Sequence, residues 1–177
     1  MKTLLISLLS LFVITVTALD LRAQRPGGIS SEQFDQMTFD VAKAYREETA
    51  DKATELAVNL LAVAPDFSKH WNYGNAIHIA NTVLGLVALD RDDLKEAKTR
   101  LLESGKTPGS PQLKSFGPNM KLADRLLKKG ESAAVLTYLD EYRIFWKQDS
   151  DDKLTVWKKA IAKGEPVDFG ANLRYFF

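Results

Sequence analysis

The chain contains no cysteine, so disulfide bonds cannot stabilise it and a cysteine-based metal site is impossible. It also lacks an Asn-x-Ser/Thr sequon and any proline-rich or glycine- and serine-rich stretch that would separate two domains. These absences favour a single domain whose stability comes from its hydrophobic core alone. A chain of this length buries enough surface to form such a core.

The chain also lacks an excess of positive or of negative charge. The chain has 24 Lys and Arg residues against 23 Asp and Glu residues, and removing residues 1–23 leaves 22 of each. A neutral chain has no global field that would attract it to phosphate backbones or to anionic lipid. We therefore expect no nucleic-acid partner.

The N-terminal 23 residues have the order that is typical of a secretory signal peptide. Lys2 supplies a positive charge, residues 4–16 are apolar apart from Ser and Thr, and cleavage is plausible after Ala18 or Ala23. An uncleaved membrane anchor is the alternative, but a spanning helix needs about 20 apolar residues, and Asp20 and Arg22 end this run early. We expect an exported protein, periplasmic or secreted, whose mature residues 24–177 contain no stable membrane span.

Apolar residues of the mature chain recur at helical spacing, which predicts an all-α domain of about five to seven helices. Residues 32–64 contain no Gly or Pro, and Thr49 is the one candidate cap that could divide them into two helices. The pattern predicts further helices over residues 71–89, 94–103, 120–129, 131–146 and 151–163.

Turn and cap signals mark the segments between these helices. Asp93 is expected to cap the helix that begins at Leu94, and Gly105 to end it in the left-handed conformation. Residues 106–119 hold three Pro and two Gly residues, which predicts a loop without helix. The tail, residues 165–177, is expected to be extended.

Small and apolar residues stand at offsets typical of a tetratricopeptide unit at Leu84, Gly85, Ala88, Asp92, Ala97, Leu101 and Ser104. A second, less regular unit passes through Ala123, Leu126, Gly130, Val135 and Leu139. Over residues 32–146 the chain resembles the tetratricopeptide-repeat family in a degenerate form. Residues 109–119 also resemble a segment of uncharacterised bacterial exported proteins. The repeat resemblance implies antiparallel helical hairpins and a concave face that binds a peptide or a protein.

No motif for catalysis, metal binding or cofactor binding is complete. Residues 105–107 resemble the end of a phosphate-binding loop but lack the glycine five positions earlier. Residues 90–93 begin like a calcium loop, yet Lys95 and Leu101 stand where Gly and Glu are needed. The two histidines are eight positions apart, with no further ligand pattern around them. We expect no catalytic residue, no metal and no cofactor.

One polar stripe interrupts the most apolar predicted helix. Asn75, His78, Asn81 and Thr82 share a face of it, and a buried polar group is costly unless it is hydrogen-bonded. Either these side chains pair with neighbouring loops, which is the favoured interpretation, or they line a ligand-binding groove. In the second case the aromatic rim would include Trp71, Tyr73 and Phe116.

The sequence therefore favours a non-enzymatic module of the bacterial envelope or secreted fraction, which binds a peptide or a protein. The alternative is a small-molecule-binding exported protein. Its pocket would lie between the helix that starts at Trp71, the loop 106–119 and the C-terminal tail.

Overall fold

The computed structural model describes residues 28–146 and 152–175. Within these residues the chain forms eight α-helices and two 3₁₀ turns and no strand, so the predicted all-α class is confirmed. The predicted signal peptide, residues 1–23, lies outside the described residues. None of the described helices is both long and apolar enough to cross a membrane.

The helices follow one another with short connections. They are α1 (Ser31–Glu47), α2 (Ala50–Val63), α3 (Tyr73–Asp90), α4 (Leu94–Gly105), α5 (Pro111–Phe116), α6 (Lys121–Lys128), α7 (Ser132–Tyr142) and α8 (Lys153–Lys163). The 3₁₀ turns are Ala64–Phe67 and Gly170–Leu173.

Side-chain caps define where the first two helices begin. Ser30 Oγ accepts the N–H of Gln33 at 3.2 Å while Gln33 Oε1 accepts the N–H of Ser30 at 2.9 Å, which is a complete capping box. Thr49 Oγ1 accepts the N–H of Lys52 at 3.1 Å and starts α2. Residues 32–64 are therefore covered by two helices, and Thr49 is the cap between them.

The start of α4 was predicted correctly and its end was not. The Asp93 carboxylate accepts the N–H of Glu96 at 3.0 Å, as expected of a cap. Gly105, however, is the last residue of the helix and does not have a positive φ. Its lack of a side chain serves packing instead, because a Cβ there would collide with the carboxylate of Glu141 and lie 3.1 Å from the ring of Tyr138.

A short helix inside the segment 106–119 contradicts the prediction of a loop without helix. Ser110 Oγ accepts the N–H of Leu113 at 3.0 Å, and Pro111 occupies the first helical position. Proline is tolerated there because the N–H that it lacks would have no intrahelical partner. The eighth helix, one more than the predicted maximum, is this six-residue α5.

The C-terminal tail is only partly extended, because Gly170–Leu173 form a 3₁₀ turn. Phe169 is 2% exposed and its ring lies 5.0 Å from that of Trp157. Trp157 Nε1 donates to the carbonyl oxygen of Asp168 at 3.0 Å. These contacts hold the described part of the tail against α8.

Helix α3 is the central element, with 15 of its 18 residues buried. One face of α3 packs against α1 and α2 in a core that includes Phe34, Leu60 and Ile79. The opposite face joins a second core, formed with α4, α6, α7 and α8, around Leu86 and Leu101. The fold thus consists of two hydrophobic clusters that share α3.

Candidate functional site

The predicted polar stripe of α3 is enclosed by protein. Asn75, His78, Asn81 and Thr82 are between 0% and 4% exposed. The groove interpretation of the whole stripe is therefore wrong, because neighbouring helices and the segment 106–119 cover it. The other interpretation, pairing with neighbouring loops, describes Asn75 and His78, whose partners include Ser110 and Asn119 of the segment 106–119.

Asn75 is the centre of a polar network between three helices. Its Nδ2 donates to Asn72 Oδ1 at 2.8 Å and to Gln112 Oε1 at 3.1 Å, while its Oδ1 accepts from Ser110 Oγ at 2.6 Å. Asn72 in turn donates to Thr38 Oγ1 of α1 at 3.1 Å. The network fixes α5 and α1 against the beginning of α3.

His78 is fully buried and hydrogen-bonded at both ring nitrogens. Nε2 accepts the backbone N–H of Asn119 at 3.1 Å, and Nδ1 lies 2.7 Å from Tyr142 Oη. Because a backbone N–H can only donate, we assign the proton of the neutral ring to Nδ1, which then donates to Tyr142. Burial lowers the pKa of His78 from 6.5 to about 4, so the ring is neutral at pH 7.

Asn81 and Thr82 have different surroundings. Asn81 Nδ2 donates to the carbonyl oxygen of Ile77 at 3.0 Å, and its Oδ1 accepts from Arg100 Nη1 at 3.2 Å. Thr82 Oγ1 is buried and has no hydrogen-bond partner among the described residues. Asn81 is the residue of the stripe that lines the groove described below.

The segment after α4 packs directly on α3 at a glycine. Thr107 Oγ1 donates to the carbonyl oxygen of Gly74 at 3.0 Å. A Cβ on Gly74 would collide with the backbone carbonyl of Gly109, so this approach requires glycine at position 74.

Direct hydrogen bonds join the tail to the segment 106–119 in the region in which a small-molecule pocket was predicted. Asn172 Nδ2 donates to the carbonyl oxygens of Phe116 at 3.0 Å and Pro118 at 2.8 Å. The N–H of Met120 donates to the carbonyl oxygen of Asn172 at 2.8 Å, and Asn119 Nδ2 donates to that of Tyr175. The described part of the tail is therefore hydrogen-bonded to the segment 106–119 and to Met120, which follows it.

The three aromatic residues of the predicted rim do not form one surface. Trp71 is 46% exposed and its ring lies 5.7 Å from that of His70, whereas Phe116 is 57% exposed and lies 6.0 Å from the ring of Tyr175. Tyr73 lines a separate groove on the side of α3 between α2 and α4.

This α2–α4 groove is an open site whose lining contains both apolar and charged side chains. It encloses about 450 Å³. Its lining is contributed by Leu61 from α2, by Tyr73, Ile77 and Asn81 from α3, by Glu96, Thr99, Arg100 and Glu103 from α4, and by Lys106 directly after α4. Tyr73 and Ile77 are half-buried, so α3, which is otherwise buried apart from Asp90 at its end, reaches solvent along this floor.

Charges in the groove are paired along the α4 wall. Arg100 Nε lies 2.7 Å from Glu96 Oε1, and Lys106 Nζ lies 2.7 Å from Glu103 Oε1. The hydrogen bond that Lys106 donates to the Glu103 carboxylate raises the pKa of Lys106, which keeps that amine protonated. The groove therefore offers an apolar floor beside a polar wall without net charge.

Sequence reasoning identified Tyr73 and Asn81 as site residues but missed Leu61, Ile77 and the α4 wall. Tyr73, Ile77 and Asn81 recur every four residues, so they share a face of α3 that the stripe pattern could have included. The α4 wall depends on how the helices pack, which no local pattern encodes. Among the described residues, no group of three His, Asp or Glu side chains is placed to hold a metal ion.

No protein-family model, no curated protein and no solved structure matches this chain. The resemblance to tetratricopeptide repeats, including the hairpin arrangement of the helices, accordingly stays a prediction. Functional inference rests on the geometry and chemistry of the site itself.

Proposed function

We propose that the protein is a non-enzymatic interaction module, which binds a peptide or a segment of a partner protein in the α2–α4 groove. One observation carries the proposal: apart from Asp90 at its C-terminal end, the central helix is buried except along the floor of this groove, where Tyr73 and Ile77 reach solvent. An exposed apolar strip at the centre of a helical domain is typical of a docking site for another chain.

The chemistry of the lining favours a short amphipathic helix as the ligand. From Tyr73 to Asn81 the floor runs for about 12 Å, which matches roughly two turns of helix. Leu61 and Ile77 would contact the apolar face of that helix. Thr99 and the paired charges of α4 would meet its polar edge, as in other complexes in which a helix lies in a groove.

Two features of the sequence support the same proposal. The tetratricopeptide resemblance implies a protein-binding face, and the N-terminal pattern implies action in the bacterial envelope or outside the cell. The binding that we propose needs neither a cofactor nor a metal.

A selection experiment tests the proposal with a substitution that fills the groove. Thr99 is exposed on α4, and its hydroxyl donates only to the carbonyl oxygen of Lys95, so Thr99→Trp blocks the groove without altering the core. Thr137→Trp is the matched control, because Thr137 is also exposed, on α7, and donates in the same way to the carbonyl oxygen of Ala133. Peptides would be selected on the wild-type protein from a phage-displayed library.

We expect the enriched peptides to share apolar residues at helical spacing. Their affinity should fall at least about tenfold on Thr99→Trp, a loss of about 1.4 kcal/mol. Binding to Thr137→Trp should be unchanged. Equal affinity for both variants, or no enrichment at all, would contradict the proposal.

A further inference from the structure

The two polar residues on the floor of the α2–α4 groove differ in how much of their hydrogen-bonding capacity is already used. Asn81 is 4% exposed, its Nδ2 donates to the carbonyl oxygen of Ile77, and its Oδ1 accepts from Arg100. Tyr73 is half-buried, and its hydroxyl makes no hydrogen bond to any residue that the structure describes. The floor therefore offers a ligand an unused polar group at the Tyr73 end and a satisfied one at the Asn81 end.

Solvent reaches the Tyr73 hydroxyl. Within the described parts of the chain, the buried side-chain oxygens and nitrogens that lack a hydrogen-bond partner belong to Asp35, Thr82, Glu141 and Trp146. The Tyr73 oxygen also lacks a protein partner but is not one of these buried atoms, so it is in contact with water. Because Tyr73 lines the groove, a ligand that displaces this water without replacing its hydrogen bond loses affinity.

The charges nearest to this end of the groove are already paired. Thr107 Oγ1 donates to the carbonyl oxygen of Gly74, so residues 106 and 107 lie beside the start of α3. The Lys106 amine is itself 2.7 Å from Glu103 Oε1. A charged ligand group would be attracted by one member of this pair and repelled by the other, whereas a neutral carboxamide can both donate and accept hydrogen bonds. The surroundings of Tyr73 therefore favour an uncharged polar side chain.

The apolar part of the floor determines the spacing that a helical ligand needs. Ile77 follows Tyr73 by about one helical turn, a rise of about 6 Å along α3, and Leu61 of α2 lines the same groove. In a helix that lies along this floor, side chains three or four positions apart are separated by a similar distance. One such side chain can contact Tyr73 while the other packs against Ile77 and Leu61.

We propose that Tyr73 is the specificity-determining residue of the α2–α4 groove, and that its ligands are amphipathic helices with an asparagine or glutamine three or four positions from a large aliphatic residue. The inference rests on the proposed function, because it concerns the ligand of the same groove. The carboxamide oxygen of the ligand accepts the hydrogen bond of the Tyr73 hydroxyl. A ligand with an aliphatic side chain in that position excludes water and leaves the hydroxyl without a partner, and a site built around a hydrogen bond discriminates against such a ligand.

Parallel selections of phage-displayed peptides test this inference, with the wild-type protein, Tyr73→Phe and Tyr175→Phe as baits. Tyr73→Phe removes a hydroxyl that makes no hydrogen bond within the described chain, so urea unfolding should show wild-type stability. Tyr175→Phe is the matched control. Tyr175 is another half-buried tyrosine whose hydroxyl has no partner among the described residues, and it lies in the tail beside Phe116, outside the groove.

We expect the wild-type and Tyr175→Phe selections to enrich the carboxamide and aliphatic pair, and the Tyr73→Phe selection to keep only the aliphatic residue. A synthetic peptide with the enriched wild-type sequence should bind Tyr73→Phe at least about fivefold more weakly than the wild type, a loss of about 1 kcal/mol. Replacing the carboxamide residue of that peptide by leucine should remove this difference, because both changes delete the same hydrogen bond.

The outcomes separate this inference from the proposed function. A peptide that loses affinity on Thr99→Trp but binds Tyr73→Phe as tightly as the wild type would overturn the role of Tyr73 and leave the proposed function intact. A loss on Tyr175→Phe as large as that on Tyr73→Phe would also overturn the role of Tyr73. No enrichment, or peptides whose affinity Thr99→Trp does not change, would overturn both proposals together.

Discussion

The backbone N–H of Asn119 donates to Nε2 of His78 over 3.1 Å, and this bond joins the central helix to the segment that the tail covers. The side chain of Asn119 continues the connection, because its Nδ2 donates to the carbonyl oxygen of Tyr175. A protonated His78 could not accept the Asn119 N–H. The bond therefore exists only while the imidazole is neutral at Nε2.

Stability should fall with acid because of His78. Its pKa is about 4 in the folded protein against 6.5 in the unfolded chain, so between these values the unfolded chain binds a proton that the folded protein does not. The contribution is fully present above pH 6.5 and is lost as the pH falls to 4, with a total of about 3 kcal/mol. Urea unfolding at several pH values measures this loss of stability.

The matched comparison for this effect uses both histidines. The variant His78→Gln should lose the pH dependence between these limits, whereas His70→Gln should retain it. If the free energy of unfolding changed with pH equally steeply in the wild type and in His78→Gln, His78 would not be the responsible group.

Gly74→Ala should destabilise the protein even though alanine favours helix by about 1 kcal/mol. The new Cβ collides with the backbone carbonyl of Gly109, which cannot rotate away, and we expect a net loss of about 2 kcal/mol. Gly85→Ala should cost less, because its closest contact is the end of the Leu122 side chain. Urea unfolding of both variants tests this order, and a larger loss for Gly85→Ala would contradict it.

Thr49→Ala should reduce the free energy of unfolding by about 1 kcal/mol, because it removes the cap of α2. Thr54→Ala is the control within the same helix. Its hydroxyl donates only to the carbonyl oxygen of Ala50, a bond that adds little to a helix, so we expect almost no change. If thermal or urea unfolding gave the same loss of stability for Thr49→Ala and Thr54→Ala, the Thr49 cap would not stabilise α2.

Asn172→Ala should loosen the tail. It leaves the carbonyl oxygens of Phe116 and Pro118 without their donor, at a cost of about 2 kcal/mol. Limited proteolysis should then cleave residues 165–175 faster than in the wild type, and urea unfolding should give the loss in stability. Asn59→Ala, at a half-buried asparagine of α2, should leave the cleavage rate unchanged. Unaltered cleavage of Asn172→Ala would show that the tail is held by other contacts.

Local signals in the sequence identify most of the helices but not the site. Thr49 and Asp93 cap helices as predicted, because capping depends only on the next few residues. Helix α5 was missed because prolines and glycines usually indicate a loop, although proline is well suited to the first helical position. Gly105 was misassigned because its role is to admit Glu141, which lies 36 positions further along the chain.

Local sequence signals also fail to show whether the polar stripe is covered. Its residues do share a face of α3, but whether that face is covered depends on the segment 106–119. The partners Ser110 and Asn119 become identifiable only when the chain is folded. Conversely, Ile77 looks like an ordinary core residue in the sequence, and only the packing of α2 and α4 leaves it half-exposed.

The central claim is that the α2–α4 groove binds a protein segment, and photo-crosslinking in the cells that produce the protein tests it most directly. A benzophenone amino acid would replace Thr99 in one variant and Thr137 in the other, and crosslinked peptides would be identified by mass spectrometry. We predict that the probe at position 99 forms a defined crosslink to one amphipathic segment of a partner, and that the probe at position 137 does not. Identical crosslinks from both positions, or none from position 99, would contradict the account.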